Sequence, residues 1–112
     1  EWQKVIGQYS DNLNEFIIID LFGKDKSPPV SSIKSMIGHA MGAASAIASV
    51  ASLMTLDKGI APPTINFETK DPECDIDCIA NTARKGEYNI VLNNSSAFGG
   101  NNACLVFKKL SR

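Results

Sequence analysis

The single histidine of the chain, His39, stands in the stretch KSMIGHAMGAASAIAS at residues 34 to 49, directly after a glycine and ahead of small, uncharged residues. An imidazole titrates near neutrality and can donate from one ring nitrogen while accepting at the other. Such a residue suits a helix cap, a buried core position, a metal ligand or an acid/base group, and composition alone leaves all four open. Lys34, at the head of the same stretch, adds a charged donor. A second stretch, AFGG at residues 97 to 100, joins an aromatic ring, Phe98, to two glycines, Gly99 and Gly100. Those glycines allow positive φ and close backbone approach, and the ring can close an apolar pocket. A plain hairpin turn with one buried aromatic would use the same residues.

The thiols offer less. Cys74, Cys78 and Cys104 are odd in number, and together with His39 they lack the paired knuckles of a structural zinc site. No metal and no cofactor is expected. Cys78 and Cys104 fall in expected strands, where an inert, small core residue is the default. Asn93 and Asn94 each begin an N-x-S triplet, which matters only in a secreted chain.

The elements that must position these residues follow from pattern and punctuation. With 112 residues, 44% of them hydrophobic and 21% charged, the chain has the length and composition of one compact domain. A formal charge of -1 leaves no basic excess to neutralise phosphates, which argues against nucleic-acid binding. The amino-terminal EWQKVIGQYSD lacks signal-peptide character, and a reducing, cytoplasmic compartment is expected. Residues 35 to 56 are uncharged apart from His39 and reach roughly the 20 residues of a bilayer span. Their Ala, Ser and Gly content and the absence of an aromatic belt argue against a span.

Residues 11 to 22 predict a short helix, with Asp11 as N-cap and Gly23 as stop. After the polar, proline-ended loop GKDKSPP, VSSIK at 30 to 34 predicts a brief buried strand. Residues 40 to 56 predict a helix closed by Gly59, with small side chains on all sides, expected to lie deep between layers. Residues 60 to 77 read as an ordered loop, with a short strand near DIDCIAN. EYNIVLNNSS and NACLVFKK predict two strands, joined as a hairpin by AFGG. The order of elements indicates an α/β layered arrangement.

Two stretches together carry a resemblance: SSIKSMIGHAMGAASA at 31 to 46 and NNSSAFGGNNACLVFKK at 93 to 109, with APPTINFETKDPECDID and ANTAR between them. In that order and spacing, over residues 28 to 109, the chain resembles the carboxy-terminal portion of β-ketoacyl-acyl carrier protein synthases. These are the condensing enzymes of fatty-acid and polyketide synthesis. The resemblance implies an α/β, thiolase-like fold, with residues 1 to 112 forming part of its C-terminal half. That half would hold a mixed β-sheet and a buried small-residue helix between layers.

The resemblance also implies roles. His39 would be a catalytic histidine that stabilises the enolate of a decarboxylating malonyl thioester, and Lys34 would support its network. Phe98 would gate the acyl pocket, with its backbone N–H in an oxyanion hole and with Gly99 and Gly100 shaping the turn. His39 and Phe98 would then converge on one thioester-sized cavity. The implied partners are an acyl carrier protein and the remainder of the synthase or a homologous subunit, in a homo- or hetero-oligomer.

Three departures stand against the family pattern. Gln3 falls where a first catalytic histidine is expected, Ala48 where a glutamate usually pairs with the lysine, and Ser96 where a phenylalanine is usual. An amide can donate a hydrogen bond but cannot carry a proton between groups. The family's nucleophilic cysteine belongs to the amino-terminal half, so none of the three cysteines here takes that role. The 112-residue chain alone is therefore expected to be incompetent in condensation. The departures keep a second reading open, a degenerate subunit of chain-length-factor type that shapes the pocket of an active partner. A free-standing binding module on a borrowed fold is a third.

Overall fold

A computed structural model of the chain describes residues 21–23, 27–72 and 75–110. Most of the helix expected over 11 to 22, and Gln3 and Cys74 with it, lies outside the described residues. The last two residues of that helix, Leu21 and Phe22, are helical, and Gly23 follows at φ 79°. The chain divides into two compact units, Glu1–Val30 with Phe67–Cys78, and Ser31–Asn66 with Ile79–Arg112.

In the first unit the strand expected at VSSIK shrinks to a single parallel bridge. Val30 pairs with Cys78, and its N–H donates to the Asp77 carbonyl at 2.8 Å. Lys70 and Asp75 form an exposed ion pair on the 67–78 segment.

The second unit explains why the strand does not continue. The N–H groups of Met36 and Ile37 both donate to the Ile33 carbonyl, at 3.0 and 3.2 Å, and wind Lys34–Ile37 into one helical turn, α1. The Ser35 hydroxyl donates to the Ser32 carbonyl at 2.9 Å, a local bond that competes with extended pairing. Gly38, at φ 77°, ends the turn with its N–H on the Lys34 carbonyl.

A short 3-10 turn, Met41–Ala43, leads into the helix α2, Ala44–Lys58. Gly59 terminates α2 in the left-handed region, its N–H on the Thr55 carbonyl at 2.9 Å. Three hydroxyls inside α2 are absorbed by the helix itself. Ser49, Ser52 and Thr55 each donate to the carbonyl four residues back at 2.9 Å.

Ile60–Ala61 (β1) pairs antiparallel with Arg84–Lys85 (β2), and Thr64 forms a parallel bridge with Ala80. The expected hairpin forms as Ile90–Ala97 (β3) and Asn101–Lys108 (β4), in a register that pairs Asn93 with Leu105 and Ala97 with Asn101. Alternation places Val91, Asn93 and Ser95 toward α2, which packs mainly on β3.

Leu56, Ala61 and Ile79 are the buried apolar side chains of this unit, with Thr55 and Asn93 the buried polar ones. Within this chain α2 is buried only near its C-terminal end, at Thr55 and Leu56. Ile47, Val50, Leu53 and Met54 are exposed, because the hairpin and β1 cover part of its circumference. Cys104, expected in the core, lies in β4 as predicted but is exposed. Its strand phase, opposite Asn94, turns it to the face of the hairpin away from α2.

Candidate functional site

All five residues singled out from the sequence belong to the second unit. His39 sits in the link between α1 and the Met41–Ala43 turn, and its side chain is exposed in this chain. Its Nδ1 accepts a hydrogen bond from the backbone N–H of Met41 at 3.2 Å. A ring nitrogen that accepts carries no proton, so a neutral His39 holds its proton on Nε2 and can donate from there. Met41 makes this contact at φ 50°, a conformation unfavourable for a side chain larger than glycine.

Lys34 begins α1 and is exposed. Its carbonyl receives the Gly38 N–H, so the backbone of the lysine also fixes the residue that precedes the histidine. The α1 turn is itself tied to the 64–65 loop. The Ser35 hydroxyl accepts from the Ile65 N–H, and the Ser32 N–H donates to the Thr64 hydroxyl, both at 2.9 Å. A four-residue helix has no stability of its own, so these bonds position the turn.

Phe98, Gly99 and Gly100 form the tip of the hairpin. Both glycines have positive φ, 85° and 79°, and the Asn101 side chain donates to the Phe98 carbonyl at 3.4 Å. A Cβ at Gly100 would meet nothing within 4 Å, so the sign of φ rather than crowding calls for glycine there. Phe98 is 85% exposed in this chain.

An open hollow of about 220 Å³ lies between α2 and the hairpin, lined by Ser45, Ala46, Ser49, Asn93, Ser95, Ala103 and Leu105. Neither His39 nor Phe98 is among its lining residues. The polar wall of the hollow is a feature that sequence reading missed. The Asn93 amide, 7% exposed, donates to the Ser45 carbonyl at 3.1 Å and to the Ser49 hydroxyl at 2.8 Å. The available signal was an asparagine on the inward phase of an apolar strand, opposite a serine-rich helix.

Asp57 and Lys58, neighbours at the end of α2, shift each other's ionisation. A hydrogen bond and the charge of Lys58 hold the exposed Asp57 carboxyl below its usual range, and Asp57 raises Lys58 in return. Among the described residues, no group of three or more His, Cys, Asp or Glu side chains could hold a metal ion. Among the same residues, no helix is long and apolar enough to cross a membrane.

An α/β unit with a glycine-preceded histidine before its main helix and a Phe-Gly-Gly hairpin tip has clear relatives. The family described as β-ketoacyl synthase, C-terminal domain, matches residues 13–68, half of the chain. The chain belongs to this family. It is 46% identical over 80 residues to 3-oxoacyl-(acyl-carrier-protein) synthase 2 of Synechocystis, covering 71% of this chain and 19% of that protein. A solved ketosynthase/chain length factor, that of ishigamide, superposes with a TM-score of 0.80 at 45% identity, over 84% of this chain and 23% of its own. A type II polyketide synthase acyl-carrier protein in complex with its ketosynthase gives a TM-score of 0.73 at 40% identity, over 76% and 21%. The chain spans about a fifth of the length of the proteins it matches.

Proposed function

We propose that the chain forms the C-terminal part of a β-ketoacyl-acyl carrier protein synthase, an acyltransferase that condenses a malonyl thioester with an acyl group. The carrying observation is the Met41 N–H on His39 Nδ1, which leaves Nε2–H as the free donor of a neutral imidazole. In the proposed step the carbon–carbon bond to the malonyl carboxylate breaks and carbon dioxide leaves. The bonding pair moves into the thioester, and negative charge develops on its oxygen. The Nε2–H of His39 donates to that oxygen, and the resulting enolate carbon attacks the carbonyl of an acyl thioester, whose C–S bond then breaks to release the thiolate. A donor already oriented in a site closed to water stabilises this charge more than solvent does.

Lys34 supports the same network with its positive charge. Phe98 gates the acyl chain, its N–H serves the oxyanion of the acyl thioester, and Gly99 and Gly100 give the turn its shape. The nucleophile, an acyl carrier protein and the covering layer come from outside this chain, through the rest of a longer synthase or a homologous subunit. In that assembly, which we place in the cytoplasm, α2 lies buried between two layers with the hairpin in a mixed sheet. The apolar residues spread around α2 support this, since a helix apolar on all sides is a buried one.

The test is malonyl-carrier decarboxylation by the synthase carrying this chain and by its His39→Ala variant. Loss of one oriented donor lowers the rate about 100- to 1,000-fold. Equal rates overturn the catalytic role of His39.

Ala48 and Ser96 favour a second reading, a non-catalytic subunit that shapes a partner's pocket, and one solved relative is a ketosynthase/chain length factor. Mass measurement of the longer protein after incubation with an acyl thioester separates the two. A covalent acyl adduct supports the synthase, and its absence supports the subunit.

A further inference from the structure

We infer that Asn93 is a positioning residue that locks the His39 segment and the Phe98 turn into one register, an inference that rests on reading those two as one thioester site. Asn93 stands on β3, five residues before Phe98. Ser45 stands in the first turn of α2, six residues after His39. The Asn93 amide spans from one to the other, with Nδ2 on the Ser45 carbonyl at 3.1 Å and on the Ser49 hydroxyl at 2.8 Å. The Ser49 hydroxyl in turn donates to the Ser45 carbonyl at 2.9 Å, which closes a three-membered polar cluster.

Packing alone does not fix the helix here. Apart from Leu105, the hollow beside Asn93 is lined by small side chains, Ala46, Ser95 and Ala103 among them, which leave few contacts to resist a slide or rotation of α2 along the hairpin. Hydrogen bonds are directional, and a buried amide cannot exchange its partners for water without loss. The register of the two arms is therefore set by Asn93 and not by the surrounding alanines. Five residues separate His39 from Ser45, and four separate Asn93 from Phe98. A change at Asn93 reaches both arms although it touches neither.

The experiment is hydrogen–deuterium exchange of the full synthase carrying this chain, read by peptide mass, together with steady-state kinetics. Asn93→Asp keeps the shape but replaces the donor with an acceptor that faces the Ser45 carbonyl. Exchange in residues 44–53 and 91–97 rises about tenfold together, residues 55–61 stay unchanged, and kcat falls about tenfold at constant KM. Ser49→Ala removes one acceptor and raises exchange about threefold in the same two segments, which decides the matter if Asn93→Asp does not fold. Unchanged exchange in both segments overturns the inference, as does equal loosening through 55–61, the mark of a general stability loss. Loosened segments with normal kcat also overturn it. Full decarboxylation by His39→Ala would instead defeat the site reading, and the exchange pattern would still judge whether Asn93 couples the two segments.

Discussion

Met41 holds His39 by its backbone and not by its side chain. The Met41 N–H donates to Nδ1 across 3.2 Å, while the Met41 side chain is 78% exposed. The bond selects one tautomer, since Nδ1 must be bare to accept it. Nitrogen-15 spectra of the ring at a pH where it is neutral are expected to show the proton on Nε2. A dominant Nδ1–H form would mean that the contact does not hold in solution.

The φ of 50° at Met41 makes that grip conformationally unfavourable. Glycine adopts this region freely, whereas a β-branched residue is the least suited to it. Met41→Gly is expected to stay within about 1 kcal/mol of the parent in urea unfolding, because little packing is lost. Met41→Val is expected to destabilise by about 1–2 kcal/mol and to blur the histidine tautomer. Equal stability of the two variants would show that the backbone at 41 relaxes without loss.

Gly59 meets a harder limit. It combines a φ of 65° with a close approach, since an added Cβ would stand 3.0 Å from the Gly86 carbonyl oxygen. The Gly86 N–H bonds back to the Gly59 carbonyl at 3.0 Å, so the two strands after α2 cannot part to make room. Gly59→Ala is expected to lower unfolding stability by about 2 kcal/mol. A loss below about 0.5 kcal/mol would mean that the strand pair gives way readily.

The legible parts of the fold were those written in local pattern. The hairpin followed from two β-rich runs around AFGG, and the end of α2 followed from Gly59. VSSIK misled because its place between loop and helix suggested a strand, while the Ser35 hydroxyl closed a turn on the Ser32 carbonyl. Burial of α2 was read from composition, which reports the surroundings a helix needs and not those a given chain supplies. Of the proposed site, His39 and Phe98 were singled out through the stretches around them. The Asn93–Ser45–Ser49 cluster was not, because its bonds join residues 44 and 48 positions apart.

Ser35 supplies a test of how α1 is held. Its hydroxyl donates to the Ser32 carbonyl and accepts from the Ile65 N–H, so Ser35→Ala leaves that N–H without its partner. A loss of about 1–2 kcal/mol is expected in urea unfolding. Thr64→Val removes the neighbouring acceptor for the Ser32 N–H, and the double variant is expected to lose less than the sum of the two. Strict additivity would indicate two separate attachments instead of one latch.

The exposed side of α2 gives the sharpest contrast, because the same helix carries a residue of the chain's own core and exposed apolar residues that the proposed two-layer arrangement would cover. Leu56 is 5% exposed, and Leu56→Ala is expected to cost about 2–4 kcal/mol in the isolated chain and in the longer synthase alike. Val50 is 57% exposed, and Val50→Asp in the isolated chain is expected to change stability by less than about 0.5 kcal/mol. The same change is expected to reduce self-association in sedimentation, since it places a charge among Ile47, Leu53 and Met54. In the longer synthase that charge would enter a buried layer without a partner, and a loss above about 3 kcal/mol follows. If Val50→Asp is harmless in both settings, α2 is a surface helix in the whole protein, and the two-layer burial proposed for it is wrong.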